Sequence, residues 1–324
     1  MPTVTLSIET DPMKPLFRRG PIAWIHGWVL LLSLLPAAAA GASDGPPGER
    51  ISVGGHSLHI HCLGKGSPAV ILDAGLGASG ADWRRIQHSL AATTRVCAYD
   101  RAGYGWSDPG PPPRTSRRIA AELRTLLERA AIPPPYILAG HSFGGCNMRL
   151  FSSLFARETA GLVLVDTPHE GQVAGFLNNY LLRQLDPQGL LQTFWRPELF
   201  DQLFGVNLAP LAALLGLEIN RLGAIVGEVA AFRESSEELR SAGIQPDIPL
   251  VVIMHGQRVL PEGALGDQLE RQWLALQRDL AARHRNGKVI IARESSHNVL
   301  FSQPELVADA IRRLINDYRR GSSG

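Results

Sequence analysis

Residues 136–145 place a serine at a tight turn between a predicted strand and a predicted helix. The first four of these residues are apolar and favour a β-strand, and apolar side chains recur at roughly helical spacing beyond the segment. Gly140, Ser142 and Gly144 form a G-x-S-x-G pattern at the turn. Glycines there let neighbouring backbones approach, and the turn projects the serine hydroxyl outward. In a chain with 33 glycines the bare pattern also fits an ordinary turn, but the strand–turn–helix context favours Ser142 as a nucleophile.

Strands and helices alternate along much of the chain. Residues 69–73 read AVILD, a continuous apolar run typical of a strand that is buried on both faces of a parallel sheet. Similar runs at 95–99, 161–165, 249–254 and 288–292 predict further strands, and helical patterns at 83–92, 116–131, 270–284 and 304–318 predict helices. This order predicts an α/β fold with a mostly parallel central sheet, flanked by helices, with functional residues at the carboxyl ends of the strands.

Composition sets limits on function. The chain has 324 residues, of which 45% are hydrophobic and 19% charged, so it can bury a large core. Its formal net charge is only +2, and no basic run is interleaved with aromatic residues. We therefore expect no nucleic-acid partner.

The N-terminal part of the chain resembles an export signal. A positively charged start at residues 13–19 precedes an apolar core at 22–35 and small residues at 36–42. The apolar core is short for a membrane span of ~20 residues. We assign residues 1–42 as a signal peptide, or alternatively a retained membrane anchor, and expect a secreted or periplasmic protein.

The glycine-rich turn after the strand at 69–73 supplies candidate anion-binding groups. Gly75-Leu76-Gly77 exposes backbone N–H groups at the end of a strand. In a serine hydrolase such groups, together with the N–H that follows the nucleophile, stabilise the oxyanion by ~3 kcal/mol per donor. We assign Leu76 and Phe143 as the oxyanion donors. A dinucleotide-binding loop is the alternative, but the third glycine of that motif is missing.

A histidine follows the last predicted strand. His297 lies in the segment Ser295-Ser296-His297-Asn298, where a loop can bring an imidazole to the serine hydroxyl. His169 and His255 also follow strand ends and are the alternatives for the base. We predict that His297 is the general base.

Several stretches together resemble the α/β-hydrolase superfamily, in its esterase-like and peptidase-like branch. They are LDAGLG at 72–77, YDRAGYGWSD at 99–108, GHSFGG at 140–145, LVLVD at 162–166 and SSHNVLFSQPELV at 295–307, and their order is that of the family. The resemblance covers residues 50–318 and implies a Ser-acid-His triad that needs no cofactor and acts on esters, amides or related acyl compounds. Ala74 departs from the pattern, because many members have histidine before the oxyanion glycine.

The acid of the triad is the second departure. Many members carry it shortly after the penultimate strand, but residues 255–260 offer no carboxylate, and Glu262 and Asp267 lie further along a predicted loop at 255–269. Asp166 ends a buried strand beside the strand that carries the serine, a place where some members have their acid. We predict Asp166 as the acid, with Glu262 and Asp267 as alternatives; Asp166 could instead cap nearby backbone N–H groups.

The alternation of strands and helices stops between residues 168 and 247, where the apolar pattern is helical. We predict a helical lid over the site, inserted into a core formed by residues 43–167 and 248–324. Such a lid excludes water and shapes the acyl pocket, and its apolar content favours a hydrophobic substrate. A structural helical bundle without a role in binding is the alternative.

Cysteines and histidines predict no metal site. Cys62 and Cys97 can form a disulfide if their strands are neighbours, although buried free thiols fit the sequence as well. Neither they nor Cys146 show zinc-site spacing. His59 and His61 share a face of a predicted hairpin strand and are more typical of solvated positions than of metal ligands.

These observations predict a serine hydrolase that cleaves an ester or amide of a small-molecule substrate with an apolar acyl group. A catalytically silent member of the same fold, which binds an apolar ligand or a partner, is the alternative. A haloalkane dehalogenase requires a carboxylate nucleophile, and residue 142 is serine.

Overall fold

The computed structural model describes residues 46–172, 219–243, 247–260 and 262–321. The predicted export segment and most of the predicted lid lie outside these residues. Within them, no helix has the length and apolarity needed to cross a membrane.

A sheet of eight strands forms the centre of the described structure, in the order β1-β2-β4-β3-β5-β6-β7-β8. β1 and β2 form a hairpin, and β2 runs antiparallel to β4; the remaining strands pair in parallel. The strands are β1 (Glu49–Ser52), β2 (Ser57–Leu63), β3 (Ala69–Asp73), β4 (Val96–Tyr99), β5 (Tyr136–His141), β6 (Thr159–Val165), β7 (Leu250–His255) and β8 (Lys288–Ala292). This confirms the predicted mostly parallel sheet.

The described helices flank both faces of the sheet, and two of them fall between β6 and β7 in sequence. They are α1 (Arg84–Leu90), α2 (Ser116–Arg129), α3 (Phe143–Leu154), α4 (Ile219–Ala230), α5 (Phe232–Ala242), α6 (Ala264–Ala282), α7 (Val299–Ser302) and α8 (Pro304–Gly321). Short 3-10 helices occupy Gly80–Trp83 and Ala156–Glu158. Only α4 and α5 represent the helical part of the predicted lid, so the lid and its boundaries remain a prediction.

Side chains of the central strands form part of two hydrophobic cores, one on each face of the sheet. Ile71 of β3 joins the core under α2, α3 and α6, whereas its neighbours Val70 and Leu72 join the core under α1 and α8. Each successive side chain of a strand points to the opposite face, so a strand covered on both sides must be apolar throughout. This is the physical reason why the AVILD run predicted β3 correctly.

Two local predictions were wrong. The segment 255–269 was predicted to be a loop, but α6 begins at Ala264. Gly266 lies inside this helix, where a glycine costs only ~1 kcal/mol relative to alanine and does not end it. His59 was predicted to be solvated, but it is buried, with Nδ1 2.9 Å from Asp100 Oδ2.

The hairpin strand β2 is bonded covalently to the parallel part of the sheet. Cys62 lies opposite Cys97 in the β2–β4 register, and the two form a disulfide. Cys146 is a free, buried thiol. The pairing that the sequence left open is therefore a disulfide between neighbouring strands.

Candidate active site

The carboxyl ends of β5, β6, β7 and β8 converge on one cavity of about 230 Å³. In a parallel sheet these ends share one edge, so residues far apart in sequence meet there. The described residues that line the cavity are mainly apolar: Leu76, Ser142, Phe143, Asp166, Pro168, Glu228, Val229, Phe232, His255, Val259, Leu260, Glu270, Trp273 and His297. The cavity thus includes Ser142, Asp166 and His297 together with both predicted oxyanion residues.

Ser142 lies at a strained turn between β5 and α3. Its φ of 50° and ψ of −126° are rare for a residue other than glycine. Any Cβ at Gly140 would overlap the backbone of Gly144, and any Cβ at Gly144 would overlap the carbonyl oxygens of Asp73 and Ala74. The glycines of the pentapeptide therefore permit the turn and bring the start of α3 against the loop after β3.

That loop is fixed in place by a buried arginine. Arg101 Nη1 donates to the carbonyl oxygen of Ala74 at 2.6 Å, and its Nη2 donates to that of Gly75 at 2.9 Å. A Cβ at Gly75 would lie 3.2 Å from Cβ of Ser142, so the loop passes directly beside the serine. Leu76 packs against the cluster of Ile119, Phe143 and Phe232, and both predicted oxyanion residues line the cavity.

Asp166 follows β6 and accepts hydrogen bonds from several donors. His297 Nδ1 lies 2.7 Å from Oδ2, and Trp273 Nε1 donates to Oδ1 at 3.0 Å. The backbone N–H of His255 also donates to Oδ1, at 3.3 Å. Burial alone would raise the pKa of the Asp166 carboxyl, but hydrogen bonds from His255 and His297 outweigh burial and hold the pKa well below its usual range. Asp166 is therefore an ionised, fully buried carboxylate.

His297 is oriented from both sides by its neighbours. With Nδ1 donating to Asp166, its Nε2 is left with a lone pair that can accept a proton. Its own carbonyl oxygen accepts a hydrogen bond from His141 Nε2 at 2.9 Å. Burial lowers the pKa of the His141 imidazole to about 4, so this ring is a neutral donor. The side chain of His297 is 32% exposed, which leaves it open to the cavity.

Glu262, Asp267 and His169, which the sequence offered as alternatives, lie outside the cavity lining. Asp267 pairs with Arg258 at 2.6 Å on the surface, and Glu262 is exposed. His169 Nε2 lies 2.9 Å from Asp279 Oδ2, away from the cavity lining given above. The structure thus brings Asp166, and neither Asp267 nor Glu262, against His297.

Sequence reasoning named His255 only as an alternative base and missed its contacts with Asp166 and Glu270. His255 ends β7 and contacts both Asp166 oxygens through Nδ1, while its Nε2 lies 2.6 Å from Glu270 Oε1. Glu270 and Trp273 are three residues apart on α6, a spacing that puts them on one helical face. That spacing was visible in the sequence, since both residues lie in the predicted helix 270–284, but the sequence does not show which strand end this face contacts. Within the described ranges, no group of three or more His, Cys, Asp and Glu side chains is arranged to hold a metal ion.

The fold is that of the α/β-hydrolase class. The sequence profile of the alpha/beta hydrolase family matches residues 70–310, and the chain therefore belongs to that family.

Relatives with the same fold span several activities. The chain is 25% identical over 262 residues to the uncharacterized protein YqjL of Bacillus subtilis strain 168, covering 80% of this chain and 88% of that protein. An enol-lactonase from Burkholderia xenovorans LB400 superposes with a TM-score of 0.59 at 17% identity, covering 83% of this chain and all of the other. The haloalkane dehalogenase DatA from Agrobacterium tumefaciens C58 gives 0.60 at 19% identity, covering 85% and 98%. At such identities the structural matches define the fold, and the chemistry must be argued from the side chains.

Proposed function

We propose that the protein is a serine hydrolase that cleaves an ester or amide bond of a small molecule with an apolar acyl group, through a Ser142-Asp166-His297 triad. The observation that carries this proposal is the 2.7 Å contact between His297 Nδ1 and Asp166 Oδ2, at a cavity that Ser142 also lines. An imidazole held in this way presents Nε2 as a base. Serine at residue 142 does not supply the carboxylate nucleophile that a dehalogenase requires.

The reaction would proceed through an acyl-enzyme. Ser142 Oγ attacks the acyl carbon while its proton passes to His297 Nε2, and Asp166 stabilises the imidazolium that forms. The backbone N–H groups of Leu76 and Phe143 stabilise the negative oxygen of the tetrahedral intermediate. His297 then gives its proton to the leaving group, and water, activated by the same imidazole, hydrolyses the acyl-enzyme.

The lining of the cavity supports an apolar acyl group. Val229, Phe232, Val259 and Leu260 present hydrocarbon to the space beside Ser142. Glu228 also lines the cavity, but its carboxylate is paired with Arg101 and Tyr104. An alkyl or aromatic acyl chain gains from leaving water there, at about 25 cal/mol per Å² of buried apolar surface.

Labelling with a fluorophosphonate probe tests the mechanism. We expect the protein to be labelled at Ser142 and Ser142→Ala to remove the label, because the activated hydroxyl of Ser142 is the group that attacks the phosphorus. Ser153→Ala is a matched control on α3, since the Ser153 hydroxyl bonds the Arg149 carbonyl instead. Failure of the unaltered protein to react would instead favour a silent, ligand-binding member of the fold. If the protein is labelled, a panel of p-nitrophenyl esters of rising chain length and of aminoacyl amides separates ester from amide substrates.

A further inference from the structure

His255 is held between two carboxylates. Its Nδ1 lies 2.8 Å from both oxygens of Asp166, and its Nε2 lies 2.6 Å from Glu270 Oε1. The imidazole is only 3% exposed, so water does not separate these groups. The hydrogen bonds run in a line from Glu270 through His255 and Asp166 to His297.

This geometry favours a proton on both nitrogens of His255. A neutral imidazole has one N–H donor and one lone pair, whereas an ionised carboxylate only accepts. A neutral His255 would therefore direct a lone pair at a carboxylate oxygen on one side. Both contacts are favourable when both ring nitrogens carry a proton, that is, when His255 is an imidazolium.

The electrostatic surroundings agree with this assignment. Burial alone would lower the pKa of His255, but hydrogen bonds and charge from Asp166 and Glu270 raise it above its ordinary value. For a group whose pKa is raised by folding, the resulting stabilisation is fully present below the pKa of the unfolded state. It is lost as pH rises through the pKa of the folded state, where the proton leaves. Glu270 is itself held by the backbone N–H of Leu260 at 3.2 Å.

We propose that His255, fixed as an imidazolium between Asp166 and Glu270, is a positioning residue that orients Asp166 toward His297 and sets the acidic limb of the pH–rate profile. The inference rests on the proposed serine hydrolase function, because His297 must be neutral to act as a base. A cation behind Asp166 offsets part of the negative charge that the carboxylate directs at His297. Loss of His255 would leave His297 beside a stronger negative charge.

The groups that contact the His255 ring come from two parts of the fold: Asp166 after β6, and Glu270 and Trp273 on α6. His297, after β8, lies on the other side of Asp166. Beyond these, neutral His141 of β5 bonds the His297 backbone, and the Arg258–Asp267 ion pair lies on the surface. Among the described residues, Glu270 is the other carboxylate within hydrogen-bond distance of the His255 ring. A Glu270 variant therefore provides the second test of the charge on His255.

The test measures the rate of Ser142 labelling by a fluorophosphonate as a function of pH. We expect His255→Gln to move the acidic limb upward by roughly one to two pH units, the size expected for unit charges several ångströms apart at an effective dielectric constant of about 20. Asp267→Asn is the control, because it removes a charge at the surface one turn before Glu270 on α6, and its limb should coincide with that of the unaltered protein. A residue that served only packing would slow labelling without moving the limb.

Nuclear magnetic resonance of protein labelled with ¹⁵N-histidine supplies a readout that is independent of activity. We expect His255 to keep protons on both nitrogens through neutral pH, and Glu270→Gln to make it lose one at lower pH. A single N–H on His255 at neutral pH, or a limb unchanged in His255→Gln, would overturn the role of His255. If the unaltered protein does not label at all, the proposed function fails, and with it the role in the pH profile.

Discussion

Ser142 and Asp166 both hold backbone conformations that residues other than glycine rarely adopt. Their φ angles are 50° and 46°, and they directly follow the neighbouring parallel strands β5 and β6. Strain of this kind costs roughly 1–3 kcal/mol per residue and persists where the surroundings enforce it. Here the Ser142 N–H donates to the Val165 carbonyl at 2.9 Å. This hydrogen bond holds the turn after β5 against the end of β6.

Asp166→Asn tests the role of the acid. We expect the variant to fold, since the amide has nearly the same shape, and kcat for ester hydrolysis to fall by roughly 10⁴-fold, because the amide favours the wrong tautomer of His297. Steady-state kinetics on a p-nitrophenyl ester measures this loss.

Glu262→Gln and Asp267→Asn are the controls for that experiment. Both residues are exposed or paired at the surface, so both variants should keep nearly full activity. If Glu262→Gln or Asp267→Asn instead lost most of its kcat while Asp166→Asn kept it, the acid would belong to the segment after β7.

Part of the site could be predicted from sequence because its cues are local. Ser142 follows from a pentapeptide between a strand and a helix, and His297 and Asp166 each follow a strand of recognisable pattern. His255 was recognised only as a residue near a strand end. Its proposed role depends on the contact with Glu270, which lies on a separate element, α6. Contacts between side chains on separate elements leave no short-range pattern in a single sequence.

At the scale of elements, Arg101 joins helix α4 to the loop beside Ser142. Besides the carbonyls of Ala74 and Gly75, it donates to Glu228 of α4 at 2.7 and 3.0 Å and to Asp73 at 2.6 Å. All three charged side chains are buried. The hydroxyl of Tyr104 donates to Glu228 as well, at 2.8 Å. One buried cation thus connects β3, its following loop and a helix more than 100 residues away in sequence.

Glu228→Gln tests this connection. Removing one partner of a buried ion pair costs about 3–5 kcal/mol, so we expect the free energy of unfolding to fall by an amount of this order. Denaturant unfolding followed by circular dichroism measures it.

Glu237→Gln on α5 is the matched control for Glu228→Gln. Glu237 pairs with Arg233 in an exposed i,i+4 contact, and such surface pairs contribute little. Equal midpoints for Glu228→Gln and Glu237→Gln would show that the buried network does not stabilise the fold.

The regular elements were more predictable than the connections between them. β3 and β8 match their predicted bounds, because a strand needs only a short run of apolar residues with consistent burial. The start of α6 was misplaced by six residues, since Gly263 and Gly266 resemble loop residues locally. Packing of α6 against β7 overrides that local preference.

At the scale of the whole molecule, the Cys62–Cys97 disulfide ties the outer hairpin to the parallel strands. It links residues 35 apart in sequence, with β3 and α1 between them. Closing a loop of that length in the unfolded chain corresponds to ~4 kcal/mol of stability in the chain-entropy estimate.

We therefore expect a reducing agent to lower the melting temperature of the protein. A Cys62→Ser/Cys97→Ser double variant should melt at the reduced temperature and show no further response to reductant. Differential scanning calorimetry with and without dithiothreitol makes the comparison. Alkylation of the folded, oxidised protein should leave Cys146 unmodified, because its thiol is buried. Identical melting of oxidised and reduced protein would contradict a stabilising disulfide.

The contacts of His255 limit which residues the end of β7 can carry. His255→Asp would set a carboxylate beside Asp166 and Glu270 at once, replacing attraction by repulsion on both sides. A carboxylate at residue 255 would therefore require a compensating change at residue 270.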